Sequence, residues 1–373
     1  VKNRNFILMG DPAVTLAEPK NNLKIEEVVN ENGITDTLNS MEKITVSGIV
    51  ENPLGQKLNN FKGELTAELY DKPVVSSTID PGENEFQFMT YNQVIYRGKA
   101  SVNNGDFDFT FFIPKEIDYK IDYGKFSLYA MQEESLEDAS GFNDEFLIGG
   151  SSPMSSQDQL GPDINIFLND KEFTNGGKTG SNVELIIDLF DEHGISIANN
   201  SINPGISFSL DGKESVNLND FFYYNRDSYQ QGSLSYNLSD LSKGDHYLTV
   251  TALDVFNNKS KSTIEFEVVG NEQLSLLDFS MFPNPASEEV NFKLRQNRKN
   301  EEVEFSYQIL NNQGQLIYSH SYQSKTDLQL DVWNLKDSNG EKLSPGIYFV
   351  RVFLRSVEDN TKTDQFKKLI VIN

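Results

Sequence analysis

The feature that most constrains this chain is a period-two alternation of apolar and polar residues, which recurs in nearly every window outside the turns. Representative runs are Leu65-Ala67-Leu69, Phe107-Phe109-Phe111, Val183-Leu185-Ile187-Leu189 and Val303-Phe305-Tyr307-Ile309. Such alternation places one set of side chains on a core face and the other toward solvent, as in an antiparallel strand. No window longer than about 12 residues keeps an apolar stripe at helical spacing. The pattern predicts an all-β chain.

Turn residues separate the alternating runs at the spacing of about 8 to 12 residues that is typical of sandwich folds. The clearest turn signals are Asn103-Asn104-Gly105, Asp211-Gly212, Asn312-Gln313-Gly314 and Ser338-Asn339-Gly340. Asn-Gly and Asp-Gly pairs favour tight hairpins because both central residues adopt positive φ easily. We therefore expect tandem antiparallel β-sandwich domains of the Ig-like kind.

The length of 373 residues suits two to four domains. Residues 1–20 are too few to fold alone and are expected to be the tail of a preceding domain. A first sandwich is predicted over 21–150, a second over 162–269 and a third over 279–373. The Ser-rich segment Gly149–Gly161 between the first two has the composition of a linker.

Charge excludes two classes of partner. The chain has 56 acidic and 32 basic residues, a net charge of −24. This balance argues against nucleic acid, whose binding needs clustered Lys and Arg, and against anionic membrane surfaces. No apolar run approaches the roughly 20 residues of a membrane helix, so no transmembrane segment is predicted. Because the sequence starts at Val1 without a signal-peptide pattern, we expect a piece of a longer protein.

Catalytic residue patterns are missing from the sequence. There is no cysteine, which excludes thiol catalysis, thiolate metal sites and disulfides. The three histidines, His193, His246 and His320, lie more than 50 residues apart and lack metalloprotease or nucleophile-elbow spacing. We expect each to be a surface or strand residue, and we predict no catalytic site in these residues.

No cofactor is predicted, and calcium remains an alternative at two groups of oxygen ligands. The first group comprises Asp138, Ser140, Asn143 and Asp144, and the second comprises Asp188, Asp191 and Glu192. Neither follows the helix-loop-helix calcium pattern. Turns that use Asp, Asn, Ser and Gly explain both groups without an ion.

An aromatic run, Phe221-Phe222-Tyr223-Tyr224, suggests a second kind of function. Sandwich domains often bind carbohydrate through exposed aromatic side chains. A carbohydrate-binding site within residues 21–269 is therefore a separate hypothesis.

The third predicted sandwich carries the most specific motifs. In order these are Phe282-Pro283-Asn284-Pro285-Ala286, Glu288-Glu289-Val290-Asn291-Phe292, Gly314-Gln315-Leu316-Ile317-Tyr318, Leu343–Val352 and Lys367–Ile372. The order, the spacing and the position at the chain end resemble a type A C-terminal sorting domain of the type IX secretion system. From the residues alone, the prolines predict an extended approach to the first strand, and Ser344-Pro345-Gly346 predicts a turn before a long strand.

Weaker motifs extend the resemblance upstream. Gly10-Asp11-Pro12-Ala13 with Leu16-Ala17 resembles the closing segment of a gingipain-type catalytic domain. Five further segments resemble the β-domains that follow the catalytic domain in the sortase of the same secretion system. They are Thr45–Glu51, Val94–Val102, Asp138–Gly141, Leu218–Phe222 and Ala252–Asn258. The chain thus resembles the non-catalytic carboxyl part of a gingipain-family sortase.

This resemblance implies a parent protein that is a cysteine endopeptidase and transpeptidase. Such a sortase removes sorting domains from secreted cargo and attaches the cargo to a lipopolysaccharide anchor, with its His and Cys upstream of these residues. The implied location is the cell surface, peripheral to the outer membrane of a Gram-negative bacterium, and the implied partner is a PorV-like outer-membrane barrel. The alternative is a secreted type IX cargo protein with carbohydrate- or protein-binding sandwiches.

Six residues are predicted to contact the partner: Leu343, Ser344, Pro345, Gly346, Lys367 and Lys368. The first four form the turn before a long strand, and the two lysines lie in the final strand. Tyr348 and Phe349 are instead expected to face the interior of the sandwich. Lys368 has a second interpretation, as a charge that discourages edge-to-edge pairing of sheets.

Overall fold

The structure is a computed structural model that describes residues 18–79, 86–133, 137–152, 158–198, 204–269, 274–298, 301–325, 328–357 and 361–372. Within these residues the chain forms 29 strands and one short 3-10 turn, Asn219–Phe221. The predicted all-β class is confirmed. The proposed catalytic-domain tail falls almost wholly on residues 1–17, which lie outside the described residues.

The first unit contributes strands β1 to β13. Their bounds are β1 Asn21–Asn30, β2 Gly33–Ile34, β3 Thr37–Ser40, β4 Lys43–Glu51, β5 Gly63–Tyr70, β6 Val74–Ser77, β7 Gln87–Thr90, β8 Val94–Asn103, β9 Asp106–Phe112, β10 Asp122–Tyr123, β11 Lys125–Gln132, β12 Asp138–Asn143 and β13 Leu147–Ser151.

Seven of these strands close into a ring. The order around it is β1, β4, β9, β8, β5, β11 and β12, and β12 pairs back with β1. The closing β1–β12 contact is parallel, whereas the other six are antiparallel. The alternating Phe107, Phe109 and Phe111 of β9 are all buried against this core, as their spacing predicts.

The second unit contributes strands β14 to β22. Their bounds are β14 Asp163–Leu168, β15 Gly177–Thr179, β16 Val183–Phe190, β17 Ser207–Leu210, β18 Val216–Asn217, β19 Tyr223–Tyr224, β20 Gln231–Leu238, β21 Gly244–Leu253 and β22 Lys259–Val268. One sheet has the order β15-β22-β21-β17-β18, and the opposing strands run β14-β16-β20-β19. Together they form a sandwich.

A shared sheet joins the first two units. Strand β19 pairs in parallel with β8 through Tyr224 and Gly98, so that strands from both units belong to one 12-stranded sheet. The rings of Tyr96 and Tyr224 stack across this seam with centroids 5.5 Å apart. Arg97, which is buried, donates to the carbonyl of Asp220 at 2.9 Å and to the Glu68 carboxylate at 2.7 Å. One hydrophobic core, from Leu23 to Val268, spans both units.

The last unit contributes strands β23 to β29. Their bounds are β23 Leu276–Phe282, β24 Val290–Gln296, β25 Val303–Leu310, β26 Leu316–Ser324, β27 Leu328–Trp333, β28 Gly346–Ser356 and β29 Lys362–Val371. A three-stranded sheet, β23-β24-β27, faces a four-stranded sheet, β26-β25-β28-β29. These seven strands enclose a separate hydrophobic core that includes Phe292, Phe305 and Trp333.

Ion pairs connect the last unit to the second. Lys293 and Arg295 project from the outer face of β24 and are nevertheless only 8% and 6% exposed. Arg295 donates to Asp170 at 2.8 Å, and Lys293 pairs with Glu172. Both carboxylates belong to the loop after β14, and the ring of Phe173 in the same loop lies 5.9 Å from the Arg295 guanidinium.

The turn predictions are confirmed in detail. Asn104 and Gly105 have φ of 53° and 74°, and Asp211 and Gly212 have φ of 53° and 69°. Positive φ at both central residues is the geometry that Asn-Gly and Asp-Gly sequences favour. The strands are mostly antiparallel, as predicted, with parallel exceptions at β1–β12, β3–β13, β15–β22 and β8–β19.

Candidate functional site

The long hairpin β28–β29 holds the residues predicted to contact a partner. In β28 the even-numbered residues Val350, Val352 and Leu354 are buried in the sandwich. The odd-numbered residues therefore face outward, because successive side chains alternate across a strand. The alternation thus decides which of the predicted residues are available on the surface.

The turn before β28 is largely exposed. Ser344, Pro345 and Gly346 lie on the surface, whereas Leu343 is half-buried and packs against the core of the last unit. Leu343 also donates its N–H to the carbonyl of Leu335 at 2.9 Å. The Tyr348 hydroxyl donates to the Ser344 carbonyl at 2.8 Å and so braces the turn. Three of the four predicted turn residues are thus accessible to a partner.

The two predicted lysines lie on opposite faces of β29. Lys368 is exposed beside Phe349 on the outer face of the four-stranded sheet. Lys367 is half-buried and faces inward, with its Nζ 5.4 Å from the centroid of the Phe279 ring. The structure therefore groups Lys368, but not Lys367, with the outward-facing residues of β28.

Sequence reasoning missed an apolar patch on this outer face. Phe349 was expected to lie inside but is 39% exposed, and Ile347 and Phe366 are exposed beside it. Tyr348 does face inward and is half-buried, as predicted. Their positions relative to the apolar Val350 and Val352 could have separated the two aromatic residues. Tyr348 is an even number of residues from both valines and shares their inward face, whereas Phe349 is an odd number away and faces outward.

Arg351 organises the aromatic part of the patch. Its guanidinium lies 4.0 Å from the centroid of Phe353 and 5.0 Å from that of Phe366. Its Nε also donates to Asp364 at 2.8 Å. These contacts fix a cation among aromatic rings, an arrangement common at the centres of protein interfaces. The patch comprises Ile347, Phe349, Arg351, Phe353, Phe366 and Lys368, and we call it the outer-face patch.

The edge strand β29 is partly covered by the proline-containing segment. Asn284 receives the N–H of Ile370 at 2.9 Å and donates to the Lys368 carbonyl at 2.9 Å. Ala286 forms a parallel bridge with Val371. These contacts occupy backbone groups that an incoming strand would need, so the sheet face, rather than this end of its edge, is available for binding.

The last unit also contains a polar cluster between its sheets. Burial, followed by the nearby Asp331 carboxylate, raises the pKa of Tyr307 and of Tyr322. His320 Nε2 lies 4.0 Å from Asp331 Oδ2. His320 is on β26, as a strand histidine was expected to be, and its ring lies 5.7 Å from that of Tyr307 and 5.8 Å from that of Tyr322.

The two groups considered as alternative calcium sites differ in their arrangement. Asp138, Ser140 and Asn143 lie on strand β12 rather than on a loop, and Asn143 faces the side opposite to that of Asp138 and Ser140. Asp188 pairs with Lys171 at 2.5 Å. Asp191 instead approaches Asp158 and His193, and their ligand atoms lie within 4.8 Å of one another.

This second cluster anchors the segment between the first two units. His193 Nδ1 and Asp158 Oδ2 are 2.8 Å apart, while Asp191 accepts the N–H groups of His193 and Gly194. Burial raises the pKa of Asp191, and burial with neighbouring carboxylates raises that of Asp254 to about 6. These hydrogen bonds connect Asp158, in the segment between the units, to the turn that contains Asp191 and His193, and so stabilise the junction.

Comparison with known proteins gives one family match. Residues 280–372 match the model of the secretion system C-terminal sorting domain. No curated protein sequence matches the chain. Among the described residues, no helix has the length and apolarity needed to cross a membrane.

Solved structures with similar folds include dimeric latent PorU from Porphyromonas gingivalis, at 26% identity and a TM-score of 0.43, covering 98% of this chain and 35% of that one. The chain therefore spans about a third of that PorU chain. The FN1–FN3 domains of chicken CNTN1 are similar at 10% identity and a TM-score of 0.21, covering 94% of this chain and 98% of that one. Elastase-activated α2-macroglobulin from Escherichia coli is similar at 12% identity and a TM-score of 0.23, covering 95% of this chain and 35% of that one.

The matched residues begin in β23 and end just after β29, and so include the end of β23 and all of the other six strands of the separate sandwich. They also contain all six predicted contact residues and the outer-face patch. Residues 280–372 are a C-terminal sorting domain of the type IX secretion system.

Proposed function

We propose that this chain is the non-catalytic carboxyl region of a PorU-like cell-surface sortase, in which the sorting domain docks the protein on a PorV-like outer-membrane barrel. The match of residues 280–372 to the sorting-domain model carries the proposal. The sequence motifs upstream of residue 280 support a sortase rather than an unrelated cargo protein. The division into units 21–150, 162–269 and 279–373, after a catalytic-domain tail at 1–20, belongs to the same proposal.

The parent activity under this proposal is that of a cysteine endopeptidase and transpeptidase acting on the sorting domains of secreted cargo. The 373 residues contain no cysteine, so the nucleophile must come from another part of the parent protein. Under this proposal the residues of this chain hold the parent protein on the barrel and orient it there. The location is the cell surface, with peripheral attachment to the outer membrane.

Docking is assigned to the outer-face patch together with the exposed turn Ser344-Pro345-Gly346. Of the two outer sheet faces of the sorting domain, the three-stranded one is occupied at Lys293 and Arg295 by the second unit. The four-stranded face instead presents exposed Ile347, Phe349 and Phe366. Exposed aromatic residues beside Arg351 and Lys368 have the composition of interface hot spots.

The test is co-purification of the full chain with a PorV-like barrel expressed in the same cells. Phe349→Asp and Lys368→Glu are expected to reduce recovery of the barrel at least about tenfold. The first places a negative charge in the apolar part of the patch, and the second reverses the charge of its lysine. Val332→Asp is the matched control, since Val332 is 55% exposed on the other sheet of the same domain. It is expected to leave recovery unchanged.

The outcomes separate two parts of the proposal. Failure of the unaltered chain to recover the barrel would contradict docking itself. Normal recovery with both patch variants would retain docking and reject the patch. Circular dichroism of each purified variant checks that the sandwich is intact.

A further inference from the structure

A groove crosses the seam between the first two units, on the outer face of their shared sheet. It has a volume of about 880 Å³ and is lined from β16, β19 and β20 on one side and from β5 and β8 on the other. This size is within the roughly 300–1,000 Å³ of small-molecule sites. Neither unit alone could form it, because its walls come from both.

Two aromatic rings form the apolar part of the groove. Phe221 is 46% exposed, and its ring packs edge-on against Tyr236 with centroids 5.1 Å apart. Tyr223 is half-buried, and the Arg97 guanidinium lies 5.2 Å from its ring centroid. The neighbouring Phe222 and Tyr224 are buried. Half of the aromatic run is therefore core, and the other half provides rings held in place by their neighbours.

The charged lining of the groove is balanced. It contains three carboxylates, Glu64, Glu184 and Asp188, and three cations, Lys99, Lys171 and Arg226. Several of these pair with one another: Lys99 with Glu64 at 2.9 Å, Arg226 with Glu64 at 3.3 Å and Lys171 with Asp188 at 2.5 Å. In a chain with a net charge of −24, this local neutrality favours an uncharged ligand over an ion.

Hydrogen-bonding groups remain available around the rings. Asp188 Oδ1 is buried and accepts no hydrogen bond from the described part of the chain. The other oxygen of this carboxylate, Oδ2, pairs with Lys171, whose side chain is 62% exposed. Ser233 and Ser235 of β20 place hydroxyl groups along the same wall. A ligand rich in hydroxyl groups would find both donors and acceptors here.

We propose that this groove binds a neutral oligosaccharide, with the faces of its sugar rings against Phe221 and Tyr223 and its hydroxyl groups on the polar wall. A peptide strand is disfavoured, because the groove lies on the face of the sheet, where backbone groups are already paired between strands. The inference does not depend on the sortase proposal, since all its residues precede the sorting domain.

The test uses saturation-transfer NMR and calorimetric titration of the full chain with four neutral trisaccharides: maltotriose, cellotriose, chitotriose and mannotriose. At least one is expected to bind, and Tyr223→Ala is expected to weaken that binding about tenfold or more through loss of ring contact. Ser235→Trp is a second variant, since an exposed serine on β20 can carry a large ring that fills the groove without entering the core. It is expected to abolish binding.

The matched control is Tyr247→Ala, because Tyr247 is also an exposed tyrosine of the second unit but lies on the opposite sheet. It is expected to bind as the unaltered chain does. The proposal is wrong if none of the four sugars binds, or if both groove variants bind normally. Preferential binding of a uronic-acid trisaccharide or of an extended peptide would also overturn the assignment of a neutral sugar.

Discussion

The two parts of this molecule are held together in different ways. The first two units share a 12-stranded sheet and one continuous hydrophobic core, whereas the sorting domain has its own core and meets the second unit at a contact that includes two ion pairs. Apolar burial is non-directional and cooperative, while polar contacts between domains are weaker and screened by salt. The first two units should therefore unfold as one body, and the sorting domain as another.

The largest expected effect on stability comes from truncating one buried aromatic side chain in each hydrophobic core, one core at a time. Phe292→Ala in the sorting domain and Phe126→Ala in the seven-stranded ring each remove a fully buried ring, at a cost of about 3–5 kcal/mol. Each should lower only the calorimetric transition of its own body. A single transition that moved equally with both substitutions would reject the two-body comparison.

A smaller effect is expected at the seam. Arg97→Ala removes a buried cation that binds Glu68 and the carbonyls of Asn219 and Asp220, which should cost about 2–3 kcal/mol. Urea unfolding followed by tyrosine fluorescence measures the change. The transition of the sorting domain is the internal control, and it should not move.

The ion pairs to the sorting domain should affect orientation more than stability. Arg295→Glu repels Asp170, and the loss of this contact is expected to cost about 1–2 kcal/mol. Because the chain has no cysteine, Thr263→Cys and Ser321→Cys give unique positions for spin labels, one in each body. The distance distribution between the labels should broaden in Arg295→Glu.

Two controls sharpen that measurement. Adding Asp170→Arg to Arg295→Glu restores an ion pair of reversed polarity and should narrow the distribution again. Arg355→Glu breaks an exposed pair with Glu304 inside the sorting domain and should leave the distribution unchanged. An unaltered distribution in Arg295→Glu would show that other contacts fix the orientation.

The smallest expected effect is a pH dependence confined to the first body. Burial lowers the pKa of His246, but hydrogen bonds to the Ser242 carbonyl and the Asp211 carboxylate outweigh it, so that the pKa is raised above 6.5. Burial opposes ionisation of Asp211, yet the His246 hydrogen bond leaves its pKa below 3.8. The His246 contribution is complete below pH 6.5 and is lost as the pH rises through the folded pKa.

Asp211→Asn should therefore cost more stability at pH 5.5 than at pH 8.5, by about 1 kcal/mol. Thermal unfolding at the two pH values measures the difference, which should appear in the transition of the first body alone. An equal cost at both pH values would mean that the pair acts through neutral hydrogen bonds.

Local features of the fold were predictable from the sequence because they depend on near neighbours. Alternation identified the buried faces of strands such as β9 and β25, and Asn104-Gly105 and Asp211-Gly212 identified hairpin turns. The alternating run Val303–Ile309 identified β25 of the sorting domain in the same way. The candidate site was only partly predictable: Ser344, Pro345, Gly346 and Lys368 are exposed as a contact site requires, while the outward orientation of Phe349 was missed.

The residues by themselves determined an all-β chain with a sorting domain at its end. The alternation of apolar and polar residues, the turn residues and the short motifs each depend only on residues close together in the sequence. Only the tertiary structure decided that β12 closes a ring with β1, that β19 joins two units at Gly98, and that Lys293 and Arg295 meet Asp170 and Glu172. These pairings join residues that are 118 to 126 positions apart. Because many strands have similar patterns, their partners are selected by how the whole core packs rather than by any one sequence.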